Sequence, residues 1–363
     1  MQLILNTFGA SLRRKDGMFH VLSGKKEVTV SPRKVQSICA TTGVHLSTDA
    51  LRLALEHHID VLLIDSRGDP YGRFWHGRLG STTALRRRQL EVSMTEEGVA
   101  LAREWVVGKL EQQAEYLKEL ARTRPDRAGE LEGIAATIGR FAGDVKSAQG
   151  TSLDELRGTL MGLEGVAGRE YFRGLSLALP ERFRFRGRSR SPAEDEFNCL
   201  LNYAYGVLYG LVERSCLLVG LDPYIGLLHT DNYNKLSLVF DLIELFRNYA
   251  ERVVVNLFAS RQVTQDLFDQ VARGNGQKKG GAASGYRLNE QGRALLLSSL
   301  NEYLDRVKHH GRRRLKIRDT VNYECQRLAG RLLRGLDDQT EIDLSVFDLA
   351  EETKDEPAAT SEE

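Results

Sequence analysis

The sequence contains few cysteines and no pattern that would use them. Its 363 residues include four, Cys39, Cys199, Cys216 and Cys325, which are widely scattered and form no CxxC pair. Disulfide frameworks and thiolate metal sites need regularly spaced cysteines, so neither class of protein is indicated. We expect four buried thiols in a reducing cytoplasm.

Long apolar runs are also missing. No stretch approaches the roughly 20 apolar residues that cross a bilayer. The first fifteen residues, MQLILNTFGASLRRK, place their positive charges after a short apolar run, which is the wrong order for a signal peptide. We therefore expect a cytoplasmic protein with no membrane partner.

Length and charge set the first positive expectations. The chain exceeds a typical single domain of about 100 to 200 residues, so two domains are expected. The net charge of +1 conceals an asymmetry, because residues 336–363 hold eleven acidic residues against one lysine. That segment carries −10, which leaves +11 on residues 1–335. A basic body suits a polyanion such as nucleic acid, although solubility alone would also explain it.

The hydrophobic periodicity changes near residue 80. Residues 1–77 show short strand-like segments between glycines and prolines, and predict a small β-rich, sandwich-like domain with one helix at Thr48–His58. After a linker at 78–84, residues 85–334 have helical periodicity and predict a larger all-α domain, so the fold class is α+β. The predicted strands are Leu3–Phe8, Met18–Ser23, Val28–Val30, Val35–Thr41, Val61–Asp65 and Tyr71–Trp75, and the predicted helices lie near 85–122, 127–145, 151–177, 194–220, 235–260, 263–273, 289–310 and 315–334.

Two segments have no apolar period. Residues 273–286, RGNGQKKGGAASGY, are rich in glycine and lysine and predict a mobile loop. The acidic residues 335–363 predict a disordered tail.

Two acidic residues in VFDLIELFR, Asp241 and Glu244, are three positions apart. This spacing predicts both carboxylates on one face of a helix, beside much apolar surface. Phosphodiester chemistry uses a divalent cation, and carboxylates are hard ligands that can bind one. The alternative is a pair of solvent-facing acids that form ion pairs with Arg247 or Arg252.

A histidine and a glutamate could complete such a metal site. His229 closes the glycine- and proline-containing segment GLDPYIGLLH, and a neutral imidazole together with carboxylates favours Mn²⁺ or Mg²⁺. Glu164 lies in MGLEGVAGREYF among glycines and apolar residues, an unusual context for a surface acid. A packed structural histidine and an outward glutamate on a glycine-rich helix remain the alternatives.

Two basic clusters could hold phosphates. In the first, arginine alternates with Phe183 and Phe185 as in an extended segment, so the cations would face one way and the rings the other. Solvated surface charge is the alternative for both clusters. The first comprises Arg182, Arg184, Arg186, Arg188 and Arg190, and the second comprises Arg312, Arg313, Arg314, Lys316 and Arg318.

Three sequence blocks together resemble consecutive signature blocks of the Cas1 family of CRISPR-associated integrases. They are MGLEGVAGREYF, RSRSPAEDEFNCLLNYAYGVLYGLVERSCLLVGLDPYIGLLH and KLSLVFDLIELFR, and they occur in the family's order. The resemblance extends over residues 1–334 and leaves the acidic tail outside it.

The resemblance implies a catalytic site. It implies that Glu164, His229 and Glu244 bind Mg²⁺ or Mn²⁺, and that Asp241 matches the nearby acidic position of the catalytic set. Positions that match the family's blocks and would contact DNA are Lys235 and Arg247, beside the basic clusters.

The resemblance also implies an assembly and a reaction. The assembly is a homodimer built through the β-rich domain, with a small companion dimer that bridges two homodimers and double-stranded DNA laid across them. In the reaction, the 3′-hydroxyl of a captured DNA fragment attacks a phosphodiester at the CRISPR repeat. The lack of a convincing Ser–His–Asp or Cys–His arrangement agrees with direct transesterification. A nuclease that cuts branched DNA without integrating it, and an inactive DNA-binding scaffold, remain alternatives.

Overall fold

A computed structural model of the chain describes residues 2–35, 37–57, 59–64, 70–74, 83–190, 192–229, 235–272, 284–311 and 313–334. The chain forms two compact units, residues 1–80 and 81–363. Most of the predicted linker and of the predicted loop, all of the acidic tail and Arg312 lie outside the described residues.

The first unit is built mainly of strands. Its strands form a sheet in the order β1-β5-β7-β8, with one antiparallel pair, β7–β8, and a sheet in the order β4-β3-β2-β6, with one parallel pair, β2–β6. Its elements are β1 (Gln2–Leu5), β2 (Ser11–Lys15), β3 (Met18–Ser23), β4 (Lys26–Val30), β5 (Ser37–Thr41), β6 (His45–Leu46), α1 (Thr48–Glu56), β7 (Asp60–Ile64) and β8 (Pro70–Phe74).

Both sheets and α1 contribute to one hydrophobic core. Phe19 of β3, Ile38 of β5 and Leu53 of α1 are buried in it. The predicted helix forms where expected, because the Ser47 hydroxyl caps it by accepting a hydrogen bond from the Ala50 amide at 3.2 Å. The short strands β2 and β6 are absent from the prediction, since they carry too few apolar residues to show an alternating pattern.

The second unit is mainly helical and contains a single large core in its described part. Together with the strand-rich first unit, this confirms the predicted α+β class. The elements are α2 (Thr83–Val92), α3 (Glu96–Arg122), α4 (Ala128–Ser147), α5 (Leu153–Ala178), α6 (Glu196–Val219), α7 (Ser237–Ile243), α8 (Arg247–Ala259), β9 (Phe268–Ala272), β10 (Ser284–Leu288), α9 (Glu290–Leu304), β11 (Val307–His310), β12 (Arg313–Lys316) and α10 (Ile317–Leu333).

Two antiparallel hairpins interrupt the helices of this unit. The predicted helix at 263–273 is wrong, because β9 pairs with β10 and the rings of Phe268 and Tyr286 meet edge to face. The predicted helices at 289–310 and 315–334 are shortened, because β11 pairs with β12. Gly311 turns between these strands with a φ of +60°, a conformation that favours glycine.

Two long predicted helices are divided. The segment 85–122 breaks between α2 and α3, where Gly98 lies so close to the chain that a Cβ would be 2.2 Å from the Val92 carbonyl oxygen. The segment 235–260 breaks between α7 and α8, at residues 244–246.

Within the described residues, no helix combines the length and the apolar character that a membrane span requires.

Candidate functional site

The loop that follows α6 wraps around the carboxylate of Asp241. Three consecutive backbone amides donate to this carboxylate: Leu227 N at 2.6 Å, Leu228 N at 3.1 Å and His229 N at 3.0 Å. Gly226 permits the close approach, since a Cβ there would be 2.6 Å from Ser237 Cβ and 3.1 Å from Asp241 Oδ2. The Asp241 side chain is completely buried.

The same carboxylate orients the imidazole of His229. His229 Nδ1 is 2.6 Å from Asp241 Oδ1, and a carboxylate can only accept, so Nδ1 carries the proton in this contact. In the neutral ring, Nε2 then keeps its lone pair and is the nitrogen able to bind a metal. Asp241 therefore acts on the site through His229 and the loop, because its own oxygens already accept four hydrogen bonds.

Glu164 lies on the face of α5 that holds this loop. Arg157, seven residues earlier on the same helix face, donates from Nε to the Leu228 carbonyl at 3.0 Å. The positions of Arg157 and Glu164 are separated by about 10 Å along the helix axis. The loop that ends at His229 and the carboxylate of Glu164 thus share one side of α5.

The carboxylates of Glu164 and Glu244 converge on a single cation, the ammonium of Lys109 from α3. Lys109 Nζ donates a short hydrogen bond to Glu164 Oε1 and lies 2.6 Å from Glu244 Oε2. The second contact is an ion pair, and the Lys109 ammonium is the only cation that faces Glu244 Oε2 within the described residues. All three side chains are largely buried, with 17% of Glu164, 12% of Lys109 and 9% of Glu244 exposed.

Arg247 holds the other oxygen of Glu244. Its Nε donates to Glu244 Oε1 at 2.8 Å, and its NH2 donates to the Tyr209 hydroxyl at 2.8 Å. The guanidinium also lies 4.7 Å from the centroid of the Tyr205 ring, whose hydroxyl donates to the buried Glu251 at 2.5 Å. Arg247 is therefore fixed from several directions.

The charges of this cluster compensate one another. Burial raises the pKa of Glu244, but the charges of Lys109 and Arg247 lower it by a larger amount. The resulting pKa is about 2. Burial alone lowers the pKa of Lys109, but the attraction of Glu244 and Glu164 outweighs it and raises this pKa above its ordinary value. Burial raises the pKa of Glu251, although hydrogen bonds from Tyr171 and Tyr205 oppose the increase.

The predicted metal ligands are thus placed in two groups. In one, Glu164 and Glu244 share the Lys109 ammonium; in the other, His229 is bound to Asp241. No three His, Cys, Asp or Glu side chains among the described residues already form a metal-binding group. The donor types nevertheless suit Mg²⁺ or Mn²⁺, because two largely buried carboxylates share one cation and the imidazole contacts Asp241 through Nδ1, which leaves Nε2 as the nitrogen for a metal.

The sequence spacing predicts that Asp241 and Glu244 share one helix face. Helix α7 ends at Ile243, and Glu244 is its C-cap with helical backbone angles, at the start of the turn that leads to Arg247. The two acids have different partners.

The first basic cluster is anchored as its alternation predicts. Phe183 and Phe185 are buried, and the Phe185 ring stacks on Phe197 with 4.4 Å between centroids. Arg188 differs from the other arginines, because its guanidinium binds the side-chain oxygens of Asn198 and Asn202. Of the remaining members, Arg184 is half-buried, and the exposed ones are Arg182, Arg186 and Arg190.

The other predicted DNA contacts lie in three places. Arg313 and Arg314 are exposed on β12, within a hairpin that the sequence did not predict. Lys235 lies before α7, with Nζ 5.6 Å from the Phe240 ring centroid. Arg247 is largely buried against Glu244, and Arg312 lies outside the described residues.

Lys109 is the main residue that the sequence interpretation missed. A signal was present, because Lys109 is a single charge after the apolar pair Val106 and Val107 and between Gly108 and Leu110. A lone lysine in such surroundings needs an anionic partner when the helix packs.

The comparisons with known proteins establish the family. The family model described as CRISPR associated protein Cas1 matches residues 3–302. The chain belongs to the Cas1 family. This confirms the resemblance drawn from the three sequence blocks.

Two curated Cas1 relatives cover most of the chain. The CRISPR-associated endonuclease Cas1 1 of Archaeoglobus fulgidus is 32% identical over 325 residues, which are 86% of this chain and 91% of that protein. The CRISPR-associated endonuclease Cas1 1 of Thermus thermophilus is 32% identical over 336 residues, which are 92% of this chain and 96% of that protein.

Solved structures share the fold. A CAS1 protein from Thermotoga maritima matches with a TM-score of 0.74 and 23% identity, covering 94% of this chain and 100% of that one. A casposase bound to integration product matches with a TM-score of 0.75 and 20% identity, covering 94% of this chain and 95% of that one. A chain of a Cas6-RT-Cas1–Cas2 complex matches with a TM-score of 0.70 and 22% identity, covering 92% of this chain and 35% of that one.

Proposed function

We propose that this protein is a metal-dependent DNA endonuclease and integrase of CRISPR adaptation, which joins 3′-hydroxyl ends of captured DNA into the repeat array. The observation that carries the proposal is the convergence of Glu164 and Glu244 on one buried cation position, with the His229 imidazole, whose tautomer Asp241 fixes, at the end of a loop held by the same face of α5. Family relatives named as endonucleases support the nuclease activity. The casposase bound to integration product supports strand transfer on this fold.

Each residue has a role in the proposed reaction. Glu164, Glu244 and His229 Nε2 would hold Mg²⁺ or Mn²⁺, which polarises the phosphate and stabilises the attacking and leaving oxygens. Arg247 keeps Glu244 ionised and in place, and Asp241 keeps the proton on His229 Nδ1. No side chain forms a covalent bond with DNA, since the attacking group is the 3′-hydroxyl of the DNA itself.

The proposal includes a DNA partner and an assembly. Double-stranded DNA would contact the exposed arginines near Arg186 and the hairpin at Arg313, since cations bind phosphates regardless of sequence. We further propose a homodimer built through the first unit, whose surface exposes large apolar side chains including Ile4 and Phe8. A small companion dimer would bridge two homodimers, and the Cas6-RT-Cas1–Cas2 complex supports a Cas2 partner.

A strand-transfer assay tests the chemistry. With Mn²⁺ or Mg²⁺, the protein should join a DNA fragment with a free 3′-hydroxyl to a target that carries a CRISPR repeat. Glu164→Gln, His229→Ala and Glu244→Gln should each abolish joining and largely retain DNA binding, because they remove ligands and leave the exposed arginines. Glu170→Gln, on the same helix as Glu164 and paired with Arg173, should join DNA normally.

Three results would contradict the proposal. Normal joining by all three ligand variants would remove the metal site from the reaction. DNA shortening without joining would favour a nuclease that acts on branched DNA. DNA binding with neither cleavage nor joining would favour an inactive scaffold.

The salt dependence of binding tests the DNA surface. Replacing Arg182, Arg186 and Arg190 together by glutamate should weaken DNA binding and flatten the plot of log affinity against log salt, by about 0.9 for each phosphate that the protein no longer neutralises. Arg140→Glu, at an exposed position on α4, is the matched control and should leave the slope unchanged. An unchanged slope in the triple variant would place these arginines outside the interface.

A further inference from the structure

The ammonium of Lys109 occupies the position between two carboxylates that a metal ion would need. Its polar contacts within the described residues are Glu164 and Glu244 alone. By contrast, Arg247 has three separate attachments: an ion pair with Glu244, a hydrogen bond to Tyr209 and the face of the Tyr205 ring. Lys109 is therefore the cation that can leave, on a flexible four-carbon stem.

The charge balance of the cluster indicates that the Lys109 ammonium must leave when a metal ion binds. Glu164 and Glu244 contribute −2, and Lys109 and Arg247 contribute +2, so the four largely buried side chains are neutral together. A divalent cation added beside a retained ammonium would leave a net charge of +2 in a site with little access to water, which is strongly unfavourable. Both cations would also need the same oxygen, Glu244 Oε2, which is already 2.6 Å from Lys109 Nζ.

We propose that Lys109 is a positioning residue that holds Glu164 and Glu244 together before the metal binds, and that the metal binds by displacing it. This inference rests on the proposed metal-dependent function. The Lys109 ammonium then competes with the metal for the two carboxylates and so lowers the affinity of the site for the metal. Metal binding should therefore depend on the charge at position 109.

The charge dependence follows from the partners of the two carboxylates. In Lys109→Met, a side chain of similar length, Arg247 remains paired with Glu244 and an excess of −1 remains on the two carboxylates for the metal to neutralise. In Lys109→Arg, the planar guanidinium can bind both carboxylates through several donors and is harder to displace. Affinity for Mn²⁺ should therefore rise in the first variant and fall in the second.

Titration of the full-length, metal-free protein with Mn²⁺ in the absence of DNA tests the inference. Calorimetry and the loss of the free Mn²⁺ electron paramagnetic resonance signal both measure binding without reference to activity. Lys109→Met should bind Mn²⁺ at least about tenfold more tightly than the unaltered protein, and Lys109→Arg should bind it more weakly. Lys118→Met, at a half-exposed lysine of the same helix, should leave the affinity unchanged.

The results separate this inference from the proposed function. Equal or weaker Mn²⁺ binding by Lys109→Met, with unchanged binding by Lys109→Arg, overturns the role of Lys109 even if the unaltered protein joins DNA normally. Mn²⁺ binding that persists in Glu164→Gln and Glu244→Gln, or is absent from every variant, overturns the metal site as well. If Lys109→Met folds only with Mn²⁺ present, the metal replaces the missing cation, which supports the inference; recovery with NaCl alone would contradict it.

Discussion

Asp241 and Glu244 are three residues apart, yet their carboxylates occupy opposite kinds of surroundings. Asp241 accepts hydrogen bonds from three backbone amides and one imidazole, all from consecutive residues of one loop. Glu244 is neutralised by the side chains of Lys109 and Arg247, and one of its oxygens faces only the Lys109 ammonium among the described residues. In the proposed function this difference separates a carboxylate that positions other groups from one that binds the metal, because a ligand needs a partner that it can exchange.

The most severe test of this comparison removes one oxygen of Asp241. Asp241→Asn leaves at least one buried backbone amide without an acceptor whichever way the new side chain points, and it removes the buried charge that the donors surround, so the free energy of unfolding should fall by about 3–5 kcal/mol. Loss of the fixed His229 orientation should also weaken Mn²⁺ binding about 10–100-fold. Urea unfolding and Mn²⁺ titration measure the two effects.

A matched control is available for that variant. Asp154 is an exposed aspartate that pairs with Arg157, and Asp154→Asn should change the stability by less than about 0.5 kcal/mol. Equal stability losses in the two variants would show that the amides around Asp241 contribute nothing specific.

The pH dependence of stability tests the surroundings of Glu244. Its folded pKa of about 2 is below the ordinary value of 4.5, so its ionised form stabilises the fold above about pH 4.5 and this contribution disappears as pH falls through 2. The difference between these two pKa values corresponds to about 3 kcal/mol in the free energy of unfolding, which the charged groups of the cluster contribute together. Metal-free Glu244→Gln should lose this part of the acid sensitivity in urea unfolding at pH 2 to 6.

The interpretation fails if the unaltered protein and Glu244→Gln show parallel stability curves over that range. Glu170→Gln supplies the reference curve for removing an acid elsewhere in the unit.

A smaller loss of stability is expected when a side chain is added to the loop around Asp241. In Gly226→Ala, the new Cβ would lie 2.6 Å from Ser237 Cβ, so either the loop or α7 must shift, at a cost of about 1–3 kcal/mol. Gly187→Ala, where a Cβ meets nothing within 4 Å, is the control. Unchanged stability and unchanged Mn²⁺ affinity in Gly226→Ala would show that the loop adapts freely.

The sequence was sufficient for the features that depend on local pattern. The periods of two and 3.6 separated the strand-rich unit from the helical unit, and the capped helix at Thr48–Glu56 was predicted almost to its ends. The hairpin of β11 and β12 was missed because its basic residues also suit a helix surface, and pairing across Gly311 decided the outcome.

The candidate site was predictable in its residue types and not in its arrangement. The sequence blocks indicated Glu164, His229, Asp241 and Glu244, but the different partners of the two nearby acids have no marker in the sequence. The role of Lys109 could not be predicted, because it depends on α3 and α5 packing together from positions 55 residues apart.

The amides of Leu227, Leu228 and His229 lie outside any helix or strand, and yet all three are bonded to one buried carboxylate. Their hydrogens can exchange with deuterium only when the loop detaches from Asp241. These three protons should therefore exchange slowly and together, and their common rate would report how often the imidazole of the site comes loose.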